Sequence, residues 1–180
     1  DPGQRRNIAA QKPDVAKELQ QAVDGFKADV VAELDAQPKP FVAGHPDFHS
    51  TILPARDGKP HGNVQRSAKA PNCSYFTQWT SSEDKITWDI DLLESGKFVI
   101  DLYYACPESA VGTEIELSFA GQVAKVRVDK ANDAPEFGAE HDLVPRHTES
   151  LMKKFLPLTV GPIELPKAVD TLNLSAPTIM

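Results

Sequence analysis

The strictest constraint on this chain is an alternation with a period of two between Ile86 and Tyr104. Ile86, Trp88, Ile90 and Leu92 are separated by Thr87, Asp89 and Asp91, and Phe98, Ile100, Leu102 and Tyr104 by Val99, Asp101 and Tyr103. Successive side chains of a strand point to opposite faces, so each run has one apolar face and one wetter face. The apolar face is stable only against a second layer. Ser95-Gly96 between the runs predicts a turn and hence a hairpin. The pattern continues in Ile115, Leu117 and Phe119, which alternate with Glu114, Glu116 and Ser118, and Gly121-Gln122 turns into a strand from Val123 to Val128. A last β region runs from Phe155 to Ser175, broken at Gly161-Pro162 and Pro166-Lys167. Short alternating strands with turn punctuation predict a mainly-β sandwich over 72–180.

Ahead of it, Pro13 to Ala36 predicts a helix. Pro suits the first helical position, where its missing N–H is not needed. Val15, Leu19, Val23, Phe26, Val30 and Leu34 recur at steps of three and four and so line one face. Gln37-Pro38-Lys39-Pro40 breaks the helix. Residues 37–71 are rich in Pro, Gly and His and read as an ordered connection with one short strand, Ser50 to Leu53. The expected organisation is a helical segment 1–36, a connection 37–71 and a sandwich 72–180.

Charge excludes some partners. The 180 residues carry 19 Lys and Arg against 26 Asp and Glu, a net charge of -7. Nucleic-acid backbones and anionic membranes need clustered positive charge, so neither is an expected partner. No apolar run is long enough to cross a bilayer.

Several residues could carry chemistry. Tyr75, Trp79 and Tyr103, with Asp101, are candidates for a carbohydrate site, since sugar faces stack on aromatic rings while polar neighbours bond the hydroxyls; the alternative for most of these rings is core or interdomain packing. The alternation assigns Trp88 and Tyr104 to the core and puts Asp101 and Tyr103 on the opposite face. His45, Asp47 and His49 stand at alternate positions and are candidate metal ligands; the alternative is a solvated polar loop. His61, His141 and His147 are scattered. Glu83, Asp84, Asp129, Asp133 and Glu136 are candidates for a structural calcium; the alternative is solvated acidic loops. Cys73 and Cys106 lack Cys-x-x-Cys spacing and are either a disulfide across a sheet or two buried thiols.

The stretch from Asp1 to Val15 resembles the tail of the sulfatase catalytic domain, an Asp-Pro-x-Glu-x-x-Asn-Leu-Ala motif followed by a Pro-led helix, with Ile8 in place of Leu. The run from Trp88 to Tyr104 is similar to the central hairpin of galactose-binding-like and carbohydrate-binding jelly rolls. So is the pair formed by Leu158 to Pro166 and Thr171 to Leu174, although Lys167-Ala168-Val169 replaces the usual Gly after Pro. Together with Leu53 to Gly62 and Ala70 to Trp79, these segments resemble the C-terminal extension of arylsulfatase-type enzymes of planctomycete-like bacteria.

The resemblance implies a jelly roll whose final strand follows Met180. It also implies the non-catalytic C-terminal region of an exported sulfatase that hydrolyses sulfate esters of glycans. No targeting signal is expected within this segment itself. Sulfatases use calcium and a formylglycine made within Cys/Ser-x-Pro-x-Arg. The sequences after Cys73 and Cys106 depart from that motif, and the upstream Asp-Asp metal motif is missing, so the resemblance implies no sulfatase chemistry and no cofactor in this segment. The expected role is bracing the catalytic domain or binding glycan. The alternatives are an autonomous carbohydrate-binding module and a small metal-dependent enzyme using His45, Asp47 and His49.

Overall fold

Pro13 opens a helix, α1, over Pro13–Leu34, with Asp14 in its first turn, where a carboxylate complements the helix dipole. This computed structural model describes residues 3, 5–34, 39–69, 73–144 and 151–180. The expected helix end at Ala36, the break at Gln37-Pro38, the opening Asp1-Pro2, the stretch Ala70-Pro71-Asn72 and His147 lie outside the described residues. The chain divides into two compact units, Asp1–Lys39 and Pro40–Met180. The first holds α1 and a single 3-10 turn at Ala9–Gln11. Among the described residues that unit has no second layer for the stripe of Val15, Leu19, Val23 and Phe26, and all four are exposed.

The second unit is mainly β. In chain order its strands are β1 (Phe41–Ala43), β2 (Lys59–His61), β3 (Gln65–Arg66), β4 (Phe76–Thr77), β5 (Lys85–Leu92), β6 (Gly96–Tyr104), β7 (Glu114–Phe119), β8 (Gln122–Arg127), β9 (Leu156–Leu165) and β10 (Ala168–Thr178). The large sheet runs β1-β5-β10-β7-β8. β1 and β2 share one edge of β5, β1 parallel to it beside Ile90 to Leu92 and β2 antiparallel beside Lys85 to Thr87. β6 and β9 form a separate antiparallel ribbon, and β3 and β4 another. The segment 37–71 thus contributes three short strands, while Ser50 to Leu53 forms none.

The hairpin expected at Ser95-Gly96 is not formed. β5 pairs with β10, and β6 pairs with β9. The short connection between β5 and β6 crosses from one sheet to the other, and so does the one between β9 and β10. Alternation fixes which face of a strand is apolar but leaves open which strand lies beside it. Here the apolar faces of β5 and β6 meet across the core. Ile86, Trp88, Ile90 and Leu92 of β5, Leu172 and Leu174 of β10, Leu117 and Phe119 of β7, and Ile163 and Leu165 of β9 share one buried cluster. Phe98, Ile100 and Leu102 of β6 pack against it, half-buried. Burying a side chain as completely as Leu117 contributes about 1.5–3 kcal/mol.

Local chemistry explains the corners. β7 and β8 do form the expected tight hairpin, because Ala120 (φ 48°) and Gly121 (φ 78°) both take the left-handed conformation that suits strand twist. The expected break at Gly161-Pro162 is instead a bulge inside β9. The register shifts between Phe98 and Ile100, so Gly161 and Pro162 together oppose Val99. Gly161 has φ 107°, and a Cβ there would lie 2.9 Å from the carbonyl oxygen of Phe98. Asp84, 1% exposed, pins the turn before β5. Its carboxylate accepts backbone N–H groups from Asn63 at 2.7 Å and from Thr80 and Ser81 at 2.9 Å.

Candidate functional site

The outward face of the β6–β9 ribbon gathers exposed groups into a strip. Register places Lys97 opposite Glu164, Asp101 opposite Thr159, and Tyr103 opposite Pro157. Period two turns Lys97, Val99, Asp101 and Tyr103 to this face, while Phe98, Ile100, Leu102 and Tyr104 turn to the core side. The Thr159 hydroxyl donates to Asp101 Oδ1 at 2.7 Å. The Lys97 ammonium lies 3.6 Å from Glu164 Oε1, with both side chains well exposed. Tyr103 is 70% exposed. At the Lys97 end, Ser95, Gln122, Glu164 and Pro166 help to line an open hollow of about 490 Å³.

The chemistry of this strip suits a polar, ring-shaped ligand. A phenol ring beside a proline offers apolar C–H contact. The free oxygen of Asp101 accepts hydroxyl hydrogens, and Lys97 can meet an anionic ester. Because Thr159 donates to it, the Asp101 carboxylate is oriented in advance.

Of the four residues expected to hold sugar, Asp101 and Tyr103 share this strip. Trp79 packs against the core cluster, and its indole Nε1 is buried with no hydrogen-bond partner among the described residues. The ring of Tyr75 lies 5.5 Å from that of Phe155, and its hydroxyl donates to Glu136 at 3.2 Å. Burial foremost, and then the Glu136 carboxylate, hold the Tyr75 phenol above its ordinary pKa. The neighbouring rings are structural as well. The Trp88 indole donates to the Pro54 carbonyl at 3.2 Å, Phe76 meets Trp88 edge to face, and Arg66 lies over Phe76 at 5.8 Å.

The other candidates are placed as follows. His45 Nδ1 accepts the Asp47 backbone N–H at 3.1 Å, and its ring packs on Phe48; Asp47 and His49 are exposed. Asp84 is committed to backbone N–H groups, which hold its carboxyl below the ordinary range. Glu136 meets Lys153 at 3.4 Å, while Glu83, Asp129 and Asp133 are exposed. Among the described residues, no three His, Cys, Asp or Glu side chains are grouped to hold a metal ion. Cys73 and Cys106 are both free thiols; Cys73 is buried, and Cys106 Sγ lies 3.8 Å from the Lys130 carbonyl oxygen. No described helix is long and apolar enough to cross a membrane.

Sequence reasoning missed Lys97, Thr159 and Glu164. Lys97 shares the phase of Asp101 and was accessible to it. Thr159 and Glu164 join only through a ladder that spans about sixty residues of sequence. Compared with protein-family models, curated proteins and solved structures, the chain matches none.

Proposed function

We propose that this chain is the non-catalytic accessory region of an exported arylsulfatase. In this reading the Pro40–Met180 unit is a jelly roll and the helix docks on the catalytic domain and braces it. The observation that carries the reading is the stripe of Val15, Leu19, Val23 and Phe26, which finds no covering layer among the described residues of its own unit. A lone amphipathic helix gains most of its stability from burying such a face. The Asp1 to Val15 resemblance supplies the candidate for the cover. The jelly-roll assignment is supported by the two side-by-side crossings between sheets, β5 to β6 and β9 to β10, because folding a long antiparallel ribbon over on itself is how that architecture is built.

The test compares the thermal melting of the sulfatase catalytic domain with and without this chain. Bracing predicts a higher melting temperature with it, and unchanged melting contradicts the reading. A second reading, glycan binding, is favoured by the exposed Tyr103 beside the oriented Asp101 carboxylate. The catalytic domain would supply the calcium, the formylglycine and the hydrolysis of sulfate esters.

A further inference from the structure

The free edge of β6 is unusual among the edges of this unit. Its sole ladder partner among the described residues is β9. Exposed edges invite another strand, and proteins blunt them by brevity, proline or charge. β1 has three residues, β2 carries Pro60, and β8 displays Lys125 and Arg127. By contrast, β6 runs for nine residues without a proline, and its charges are Lys97 and Asp101. Burial also points to an unfinished edge. Leu158, Val160, Ile163 and Leu165 of β9 are buried, whereas Phe98, Ile100 and Leu102 of β6 are only half-buried.

We propose that β6 pairs antiparallel with β6 of a second copy of this chain, with Val99 at the two-fold axis. An isologous contact must be self-complementary, and this register is. Each Lys97 falls opposite Asp101 of the other copy, and each Phe98 falls opposite Ile100. Opposite charges directly across a ladder stabilise it, whereas like charges destabilise it. The Thr159 hydrogen bond uses Oδ1 of Asp101 and leaves Oδ2 for the incoming ammonium. Centring the pairing on Ile100 instead would set Asp101 against Val99 and leave the carboxylate without a cation. Within one strand Lys97 and Asp101 are four residues and about 13 Å apart, too far to pair with each other.

The test is analytical ultracentrifugation of the whole chain and three variants: Lys97→Asp, Asp101→Lys and the double exchange. The expected result is a concentration-dependent species of twice the 19.7 kDa chain mass. Each single reversal sets like charges across both symmetric positions and should weaken association about tenfold or more. The double exchange should restore it. A monomer over the whole soluble range overturns the proposal, as does capture of a foreign peptide by the edge with no self-association. A dimer indifferent to all three variants also overturns it, because the contact then lies elsewhere, the helix stripe included. Circular dichroism melts of the variants distinguish lost association from lost folding.

Discussion

The Ser95 hydroxyl accepts the Lys167 backbone N–H at 2.8 Å and ties together two connections 72 residues apart in the chain. Both connections lead between the large sheet and the ribbon, so this one bond holds two crossings side by side at the same end of the unit. Ser95→Ala removes the acceptor and leaves the N–H dependent on solvent. Equilibrium urea unfolding should show a loss of about 0.5–1.5 kcal/mol. An unchanged midpoint would mean that the crossings are held in place by packing alone.

Gly161 is the residue that the bulge in β9 requires. A side chain there meets the Phe98 carbonyl oxygen and the Ile163 nitrogen, each at 2.9 Å, with φ at 107°. Gly161→Ala should therefore cost about 1–3 kcal/mol. Gly121→Ala in the β7–β8 turn serves as a control, since its Cβ would meet nothing within 4 Å and only its φ of 78° is unfavourable. Equal losses in the two variants would contradict the steric argument.

Asp84 predicts an acid-sensitive component of stability. Its carboxyl titrates below the ordinary 3.8 because the backbone N–H groups of Asn63, Thr80 and Ser81 favour the charged form, the one from Asn63 most strongly. A depressed folded pKa stabilises the protein above the unfolded value, and that stability is lost as pH falls through the folded value. Asp84→Asn should therefore be less stable than the parent near neutral pH, with the gap closing as pH drops below 3.8. Urea midpoints across that range give the answer. A gap that stays constant in acid would assign the loss to packing against Gly62 instead.

Tyr103 and Trp79 should separate ligand binding from folding. Tyr103 is 70% exposed, so Tyr103→Ala should leave the melting temperature within a few degrees of the parent while weakening binding of sulfated glycan. Trp79 packs half-buried against the core cluster, so Trp79→Ala should cost about 1–3 kcal/mol. Isothermal titration with sulfated and neutral glycans, beside thermal melts, distinguishes the two. Absence of binding to either class would remove the glycan reading and leave bracing.

Much of the strand content was legible because alternation is a local property. The faces of Trp88, Tyr103 and Asp101 follow from phase alone, and Gly121 marks the turn between β7 and β8, although the left-handed pair is Ala120-Gly121 rather than Gly121-Gln122. Strand partners were not legible. Ser95-Gly96 has the composition of a hairpin turn, yet β5 and β6 part there because their apolar faces meet across the core. The strands β1 and β2 escaped notice because strands of three residues carry too few alternations to show a period. The site was half legible for the same reason: Asp101 and Tyr103 lie on one strand, whereas Thr159 and Glu164 join them only through a distant ladder.

The central claim is that the stripe on α1 is covered by a sulfatase catalytic domain. Amide hydrogen exchange over Pro13–Leu34, measured with and without that domain, tests it most directly. The account predicts marked slowing of exchange on the helix when the domain is present, abolished by Leu19→Asp together with Phe26→Asp. Helix amides that exchange equally fast in both samples would contradict it.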